Sequence, residues 1–292
     1  MEKVLITGID SFTGQYVRDE LESYNFDVYG TVKSESSGAK VFSCDITDFS
    51  DLTGVIESVC PDYIIHLAAI SFVAHQRPEE LYEVNLFGVE NLLRIVYQAL
   101  PNIKKVVIAS SAAVYGRHGI DVIDESVFPM PVNHYGGSKL AMENMGRTWF
   151  DRLPILFTRP FNYTGVGQSE KFLIPKIVSH FRNGLPTIEL GNIDVERDFS
   201  DVRTVSKIYR LLLKSTADSR VVNICSGSLT SLKSIVSMCG SLTGHTPSIV
   251  VNQDFVRKNE IMKLRGSNEQ LHRLIGAQSY PHLKHTLEWM LS

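Results

Sequence analysis

The sequence predicts an α/β fold in which a doubly wound parallel sheet is joined to a smaller, interleaved C-terminal lobe. Short apolar runs alternate with helical segments from the N-terminus to residue 160, which is the pattern of a parallel sheet with helices on both faces. A glycine-rich segment follows the first run. Of the 292 residues, 43% are hydrophobic and 21% are charged, so the chain can bury a large core.

The first apolar run, residues 4–7, predicts a buried strand that leads into a glycine-rich turn. The turn runs from Gly8 to Gly14 with Ser11 in its middle, and a helix begins near Phe12. In such a turn, backbone amides and the helix N-terminus face a phosphate. We therefore expect Gly8, Ser11, Phe12 and Gly14 to contact a dinucleotide cofactor.

The end of the second strand indicates which dinucleotide binds. This strand is predicted over Asp27–Val32 and is followed by Lys33. An acidic residue here is typical of NAD sites, whereas a basic residue accommodates the 2′-phosphate of NADP. Lys33 therefore favours NADPH, with NADH possible; the alternative is that Lys33 is only a solvated loop charge. A third strand, residues 41–45, places Asp45 and Ile46 where they would contact the adenine.

The fourth strand is predicted over residues 63–69 and ends in small side chains. His66 lies inside the apolar run, which predicts a packed, hydrogen-bonded core histidine rather than a catalytic one. Leu67, Ala68 and Ala69 follow it. Because small side chains let a flat cofactor lie against the backbone, we predict that these three residues contact the cofactor.

The remaining elements of the first half continue the alternation. Residues 81–100 carry apolar side chains at helical spacing, interrupted by Asn85, whose polar side chain needs a partner. Strands are predicted over residues 105–110 and 154–160, with a helix over residues 135–150 between them.

The character of the chain changes after residue 160, where loops lengthen and glycine and proline become more frequent. We predict that residues 1–160 form a dinucleotide-binding Rossmann domain. Residues 161–292 are expected to form mainly a substrate lobe, with a segment near 199–226 returning to the sheet. The β-rich run at 221–225 suits the returning strand.

Three polar residues suggest the chemistry. Ser111 follows the fifth strand, where residues of an open α/β sheet meet their ligands. Tyr135 and Lys139 are four residues apart and would share one face of a helix. A nearby ammonium lowers the pKa of a phenol, which makes the phenol a usable acid or base. The three residues suit proton transfer at a carbonyl or alcohol, although a Tyr and a Lys at this spacing also occur by chance. Ser110 either assists or is a structural hydroxyl.

Composition limits the partners and the compartment. The net charge of −3 gives no general basic surface, so a nucleic-acid partner is not expected. The four cysteines form no CxxC pair and no metal spacing, which is typical of a reducing cytosol. No signal peptide and no apolar run of membrane-spanning length are evident, so we predict a cytoplasmic protein without a membrane partner or a metal.

Short motifs occur in a fixed order along almost the whole chain: Thr7-Gly8 with Phe12-Thr13-Gly14, His66-Leu67-Ala68-Ala69, Asn85-Leu86-Phe87-Gly88, Ser110-Ser111 with Val114-Tyr115-Gly116, Tyr135-Gly136-Gly137-Ser138-Lys139, and Arg159-Pro160-Phe161-Asn162. Together they resemble the extended short-chain dehydrogenase/reductase family, and specifically its nucleotide-sugar branch. The C-terminal half looks most like the reductases of GDP-linked 4-keto-6-deoxyhexoses.

Two alanines distinguish between the reactions of this family. The 4,6-dehydratases that the region resembles carry Asp-Glu directly after the catalytic Ser or Thr, as the acid and base that eliminate water. Here these positions are Ala112 and Ala113, which cannot transfer a proton. The resemblance therefore implies a 4-keto reductase, with a 4-epimerase that retains NAD as the alternative. A non-catalytic NADPH-binding sensor is disfavoured because Tyr135 and Lys139 are both present.

The resemblance also implies residue roles. Tyr135 would donate a proton to the C4 oxygen, Ser111 would hydrogen-bond that oxygen, and Lys139 would hold the nicotinamide ribose. Pro160 would line the cofactor site. The residues expected to bind a nucleotide-diphosphate sugar, with GDP-4-keto-6-deoxy-mannose favoured, are Ser71, Ser111, Asn162, Arg197 and Arg257. In the family the two helices over 81–100 and 135–150 form an intersubunit four-helix bundle, so a homodimer is expected.

Overall fold

A computed structural model describes residues 1–36, 38–72, 75–255 and 261–292. It has the predicted α/β architecture. The strands are β1 Lys3–Thr7, β2 Asp27–Val32, β3 Val41–Ser43, β4 Tyr63–His66, β5 Lys105–Ala109, β6 Ile155–Pro160, β7 Asn162–Thr164, β8 Thr187–Leu190, β9 Glu196–Asp201, β10 Arg220–Ile224, β11 Leu229–Ser231, β12 Ser248–Val251 and β13 Lys263–Leu264. The helices are α1 Phe12–Ser23, α2 Phe49–Val59, α3 Pro78–Tyr82, α4 Gly88–Ala99, α5 His134–Arg147, α6 Leu173–Arg182, α7 Val202–Lys214, α8 Leu232–Thr243, α9 Glu269–Ile275 and α10 Leu283–Leu291.

A seven-stranded parallel sheet organises the molecule, in the order β10-β6-β5-β4-β1-β2-β3. Its central strands are apolar on both faces, as a sheet covered on both sides requires. One face packs under α1 and α7, and the other packs under α2, α4 and α5. This is the doubly wound parallel sheet that the sequence predicts, and it is confirmed.

The C-terminal lobe has a separate core beneath α6, α8 and α10. In this lobe β9 pairs with β7, β11 and β13, and β8 pairs with β12. The strand at the end of the large sheet, β10, pairs in parallel with β6, so a segment from the second half of the chain lies in the first-half sheet. The division into a dinucleotide-binding domain over 1–160 and a substrate lobe over 161–292 remains a proposal.

The predicted helix over 81–100 is three consecutive segments. The α3 helix comes first, a π-helical turn covers Glu83–Phe87, and α4 follows. The periodic apolar stripe runs through all three, which explains why the spacing predicts one helix. None of the described helices is both long and apolar enough to span a bilayer.

Candidate active site

The glycine-rich turn after β1 is shaped by two glycines and one serine. Gly8 has a φ of +71°, a conformation that favours glycine. A Cβ added to Gly14 would lie 2.3 Å from the carbonyl oxygen of Gly8, so only glycine fits there. Ser11 caps α1, and its Oγ accepts a hydrogen bond from the Gly14 amide at 3.0 Å. The other first-turn amides of α1 have no partner within the helix, which suits the pyrophosphate of a dinucleotide.

The aromatic ring of Phe12 is directed toward the C-terminal half of the chain. It stacks on Tyr163 of β7 with ring centroids 6.1 Å apart, and the Tyr163 hydroxyl bonds Thr13 Oγ1 at 2.7 Å. These contacts attach the N-terminus of α1 to the strand that follows β6. A role for Tyr163 was not predictable from the sequence, because nothing local to residue 163 shows that β7 lies beside α1.

Two residues predicted to contact the cofactor form an ion pair. Lys33 Nζ lies 3.0 Å from Asp45 Oδ2, and the other oxygen of Asp45 accepts from the amide and hydroxyl of Thr47 at 3.0 and 2.7 Å. Burial raises the pKa of Asp45, but the hydrogen bonds from Thr47 and Lys33 outweigh it and leave the pKa below its usual value. Ile46 is buried, and its side chain leaves no room for a Cβ at Gly88 of α4.

The end of β4 packs closely against the end of β1. The Leu67 amide donates to the Thr7 carbonyl oxygen at 3.1 Å, and the Ala68 amide donates to Thr7 Oγ1 at 3.3 Å. A Cβ on Gly8 would lie 3.0 Å from the Ala68 backbone, so the glycine-rich turn and the backbone after β4 are in close contact. His66 is buried and hydrogen-bonded to Thr7 at 2.8 Å, as the sequence predicts, and burial lowers its pKa to about 3.

Ser111 and Tyr135 meet beyond the end of β5. Ser111 Oγ accepts from the Ala113 amide at 3.1 Å, and the Ser111 side chain also hydrogen-bonds Tyr135. Tyr135 is in the first turn of α5, which Asn133 caps by accepting from the Gly136 amide at 2.8 Å. The cap fixes where α5 begins and so places Tyr135 opposite Ser111.

The electrostatics of Tyr135 differ from the prediction that Lys139 lowers its pKa. Burial raises the pKa of Tyr135 to about 12, and the lowering contribution comes from Ser111. Burial also lowers the pKa of Lys139 to about 8. Lys139 Nζ donates to the Ala109 carbonyl oxygen at 2.8 Å, so it is held at the end of β5. At neutral pH the phenol is therefore protonated and able to donate.

A buried carboxylate that was not among the predicted site residues lies one helical turn beyond Lys139. Glu143 accepts a hydrogen bond from Ser110 at 2.5 Å and pairs with Arg159 of β6. Ser110 is therefore bonded to Glu143, which favours the structural alternative for this hydroxyl. Tyr135, Lys139 and Glu143 follow one another at intervals of four residues, and this helical spacing could have indicated that Glu143 lies on the same face of α5.

Two of the predicted substrate residues lie in the small sheet that β9 forms with its neighbours. Asn162 of β7 donates to the Asp198 carbonyl oxygen at 3.4 Å, and Arg197 of β9 donates to the carbonyl oxygens of Glu196 and Met262 at 3.0 and 3.3 Å. Because β7 and β9 are paired, Asn162 and Arg197 lie near each other in one small sheet.

The remaining predicted residues flank this region. Ser71 is exposed in the loop after β4, and Pro160 ends β6 opposite Ile224 of β10. Arg257 lies outside the described residues. Across the described ranges, no three His, Cys, Asp or Glu side chains are grouped so that they could hold a metal ion.

Comparison with known proteins gives consistent similarities. The family model described as the NAD dependent epimerase/dehydratase family matches residues 4–225. The chain is 35% identical over 277 residues to GDP-6-deoxy-D-talose 4-dehydrogenase from Aggregatibacter actinomycetemcomitans, covering 94% of this chain and 91% of the relative. It is 32% identical over 253 residues to GDP-6-deoxy-D-mannose reductase from Pseudomonas aeruginosa, covering 83% of each chain.

A solved structure that is complexed with a nicotinamide cofactor is among those similar over the full length. It is RMD from Pseudomonas aeruginosa complexed with NADPH, which superimposes with a TM-score of 0.87 at 27% identity and covers 100% of this chain and 98% of that one.

Proposed function

The chain belongs to the NAD dependent epimerase/dehydratase family, and we propose that it reduces the C4 ketone of a nucleotide-linked 4-keto-6-deoxyhexose with NADPH. Membership confirms the resemblance to extended short-chain dehydrogenases/reductases and identifies the chain as a nucleotide-sugar oxidoreductase of this type. One observation carries the finer proposal. Ser111, Tyr135 and Lys139 are assembled beside the end of β5, while the two positions after Ser111 are alanines.

The reduction needs a hydride and a proton, and the protein's residues supply the proton. When bound, the nicotinamide supplies the hydride to C4. As the C4 oxygen gains charge, Tyr135 transfers its hydroxyl proton to that oxygen, and Ser111 hydrogen-bonds the same oxygen. A pKa of about 12 keeps Tyr135 protonated at neutral pH, which suits the reductive direction. The product is the C4 alcohol, with Tyr135 left to regain a proton from solvent.

Ala112 and Ala113 support reduction over elimination. Ala112 is buried and Ala113 is half-buried in a single turn of 3₁₀ helix directly after Ser111. Neither side chain has a proton to give or take, and a carboxylate at position 112 would be buried among apolar residues, at a high desolvation cost. Elimination of water from the sugar would need an acid and a base from other residues.

A GDP sugar is the proposed substrate, with GDP-4-keto-6-deoxy-mannose favoured and a GDP-6-deoxyhexose such as GDP-rhamnose as the product. Two relatives that share at least 32% identity over most of the chain are named for GDP-6-deoxyhexoses. We assign Asn162 and Arg197 to the diphosphate, because a guanidinium matches phosphate geometry. Ser71 is assigned to the sugar, and Arg257 is retained as a proposed contact.

NADPH is the proposed cofactor, and a nicotinamide cofactor in general fits the glycine turn described above. RMD, similar over the full length, is complexed with NADPH. Lys33 is exposed at the end of β2, where it can approach a 2′-phosphate, although Asp45 competes for it in the structure. The reverse reaction, oxidation of the C4 alcohol by the oxidised cofactor, would use the same residues, with Tyr135 as the base.

We also propose a cytoplasmic homodimer. The described cysteines are free thiols, of which Cys44, Cys225 and Cys239 are buried, as in a reducing compartment. Phe87 and Tyr97, on the segment that ends in α4, are exposed large apolar side chains. In the family the equivalent helices pair across the subunit interface.

One assay tests the proposed function. The protein is incubated with dTDP-, GDP- and UDP-linked 4-keto-6-deoxy sugars and with NADPH or NADH, nicotinamide absorbance is followed, and product stereochemistry is determined by NMR. We expect stoichiometric oxidation of NADPH with the GDP sugar. Interconversion of C4 epimers without net cofactor consumption would instead establish the 4-epimerase alternative, and no reaction with any sugar would contradict both.

A further inference from the structure

A carboxylate that the proposed reaction does not use is buried behind the Tyr135–Lys139 turn. Glu143 follows Lys139 by four residues and so lies on the same face of α5. Its side chain is fully buried, and Arg159 of β6 binds it with two hydrogen bonds, Nε to Oε1 at 2.9 Å and Nη2 to Oε2 at 2.6 Å. A bidentate pair of this kind fixes the orientation of both groups.

Glu143 also binds the residue between β5 and Ser111. Ser110 Oγ donates to Glu143 Oε1 at 2.5 Å. In the sequence Ser110 stands between Ala109, whose carbonyl oxygen accepts from Lys139 Nζ, and Ser111. Lys139 and Glu143 therefore attach two successive turns of α5 to two successive residues at the end of β5.

Arg159 is itself held by a second, aromatic contact. Its guanidinium lies 4.7 Å from the centroid of the Tyr115 ring, and the Tyr115 hydroxyl donates to Asn223 Oδ1 of β10 at 2.7 Å. All three side chains are buried. The arginine therefore cannot follow Glu143 if α5 shifts, so the pair resists movement of the helix.

The Glu143 carboxylate also affects the pKa of Lys139. Burial lowers the pKa of Lys139, and Glu143 acts against that lowering. Arg159 and Arg147 face Glu143 from β6 and α5, while His66 of β4 is near Lys139 and is neutral at ordinary pH. Removal of the Glu143 charge would therefore make Lys139 lose its proton at a lower pH.

We infer that Glu143 is a positioning residue: with Arg159 and Ser110 it fixes the Tyr135–Lys139 turn against the end of β5. The inference rests on the proposed function, because its purpose is to hold the proton donor at the distance that transfer requires. A displacement of about 1 Å in such a group costs about 10²-fold in rate.

The test compares Glu143→Gln with the wild type. We expect kcat to fall about 10²-fold with the KM for the sugar nucleotide unchanged. The alkaline limb of the kcat–pH profile should move to lower pH, because Lys139 loses the carboxylate that favours its charged form. Arg159→Lys keeps the charge but loses the two-point contact, and it should show an intermediate loss of kcat.

A matched control separates positioning from stability. Asp201→Asn neutralises another buried carboxylate that pairs with an arginine, the half-exposed Arg203 at the start of α7. It should lower the melting temperature without moving the pH profile. If Glu143→Gln behaves in the same way, with kcat and the alkaline limb unchanged, the inference is overturned.

A second readout does not depend on turnover. In protein labelled with ¹³C at the lysine ε-carbon, the Lys139 signal, identified with Lys139→Arg, should titrate at lower pH in Glu143→Gln than in the wild type. Absence of turnover in the wild type would then count against the proposed function alone, and an unmoved titration would count against the inference.

If Glu143→Gln does not fold, Ser110→Ala provides a second variant. It removes one hydrogen bond to Glu143 and should lower kcat about tenfold. An unchanged kcat would contradict the positioning role of Glu143.

Discussion

Tyr135 is the residue on which the proposed chemistry depends most directly. Replacing it with Phe removes the hydroxyl proton but keeps the ring, so we expect kcat to fall by about 10²–10⁴-fold. NADPH affinity, measured by fluorescence titration, should be nearly unchanged, because Lys139 keeps its bond to Ala109. Tyr24→Phe, which alters an exposed hydroxyl just beyond α1 and away from the proposed subunit interface, serves as the control. Turnover retained by Tyr135→Phe would eliminate this assignment.

His66 makes the stability of the protein depend on pH. Its pKa is about 3 in the folded protein, because burial disfavours the charged ring, against 6.5 in the unfolded chain. As the pH falls from 6.5 to about 3, His66 becomes protonated in the unfolded chain but stays neutral in the folded protein. The free energy of unfolding therefore decreases across this pH range. Each pH unit there costs about 1.4 kcal/mol.

Denaturant unfolding at a series of pH values measures this loss. The free energy of unfolding of the wild type should fall more steeply below pH 6.5 than that of His66→Gln, whose amide has no proton to gain in this range. Carboxylates with lowered pKa values, such as Asp45 and Asp201, contribute equally to both proteins and cancel in the comparison. Equal slopes would show that His66 is not the group responsible.

The placement of residues could be predicted from the sequence where the signal was local. Tyr135 and Lys139 share a helical turn whatever the rest of the chain does, so their spacing was enough to bring them together. Glu143 has the same spacing, but its partner Arg159 is on a neighbouring strand, and the sequence does not show that pairing. The competition of Asp45 for Lys33 was hidden for the same reason, because it depends on how β2 and β3 are paired.

At the scale of elements, Asn85 explains why the predicted helix over 81–100 is interrupted. It is fully buried within the π-helical turn Glu83–Phe87. Its side chain accepts from the Ile70 amide at 2.9 Å and donates to the Ile70 carbonyl oxygen and to Ser138 Oγ, both at 3.1 Å. The sequence showed that Asn85 needs a partner, but not that the partners are the loop after β4 and a turn of α5.

Replacing Asn85 with Ala should loosen three elements at once. The variant leaves the backbone groups of Ile70 unsatisfied, and each buried polar group without a partner costs about 1–3 kcal/mol. We expect a lower free energy of unfolding and faster hydrogen exchange in the loop after β4, measured by mass spectrometry. Asn102→Ala, at an exposed site, should change neither. If Asn85→Ala is as stable as the wild type, the three hydrogen bonds do not hold these elements together.

At the scale of the whole molecule, the alternation of strands and helices predicted the large sheet because most parallel crossovers contain a helix. The connection from β2 to β3, which has none, is the exception among the described strands of this sheet. The smaller sheets were not predictable in this way. The strand β9 pairs with β7 before it and with β11 and β13 after it, and these strands are short. Such pairings depend on the packing of the C-terminal core rather than on a periodic pattern.

The oligomeric state belongs to this scale as well. Phe87 is 60% exposed and Tyr97 is 52% exposed, and Tyr97 lies 5.9 Å from the Trp149 ring just beyond α5. These two large exposed apolar side chains lie on consecutive segments of one helical stretch, and Trp149 beside Tyr97 adds to the apolar surface. We therefore expect a second copy of the chain to cover them. Sedimentation velocity should give twice the mass of the chain for the wild type.

Phe87→Glu should shift the protein to the monomer, because a carboxylate in a covered apolar interface carries a large desolvation cost. The matched control is Phe128→Glu, which places the same charge at a side chain that is 77% exposed on the loop between β5 and α5. It should leave the mass unchanged. A wild-type monomer at micromolar concentration, or a dimer that survives Phe87→Glu, would exclude this face as the interface. Since Lys139 and Glu143 lie on the buried side of α5, a monomeric variant that keeps full turnover would also show that each subunit holds a complete site.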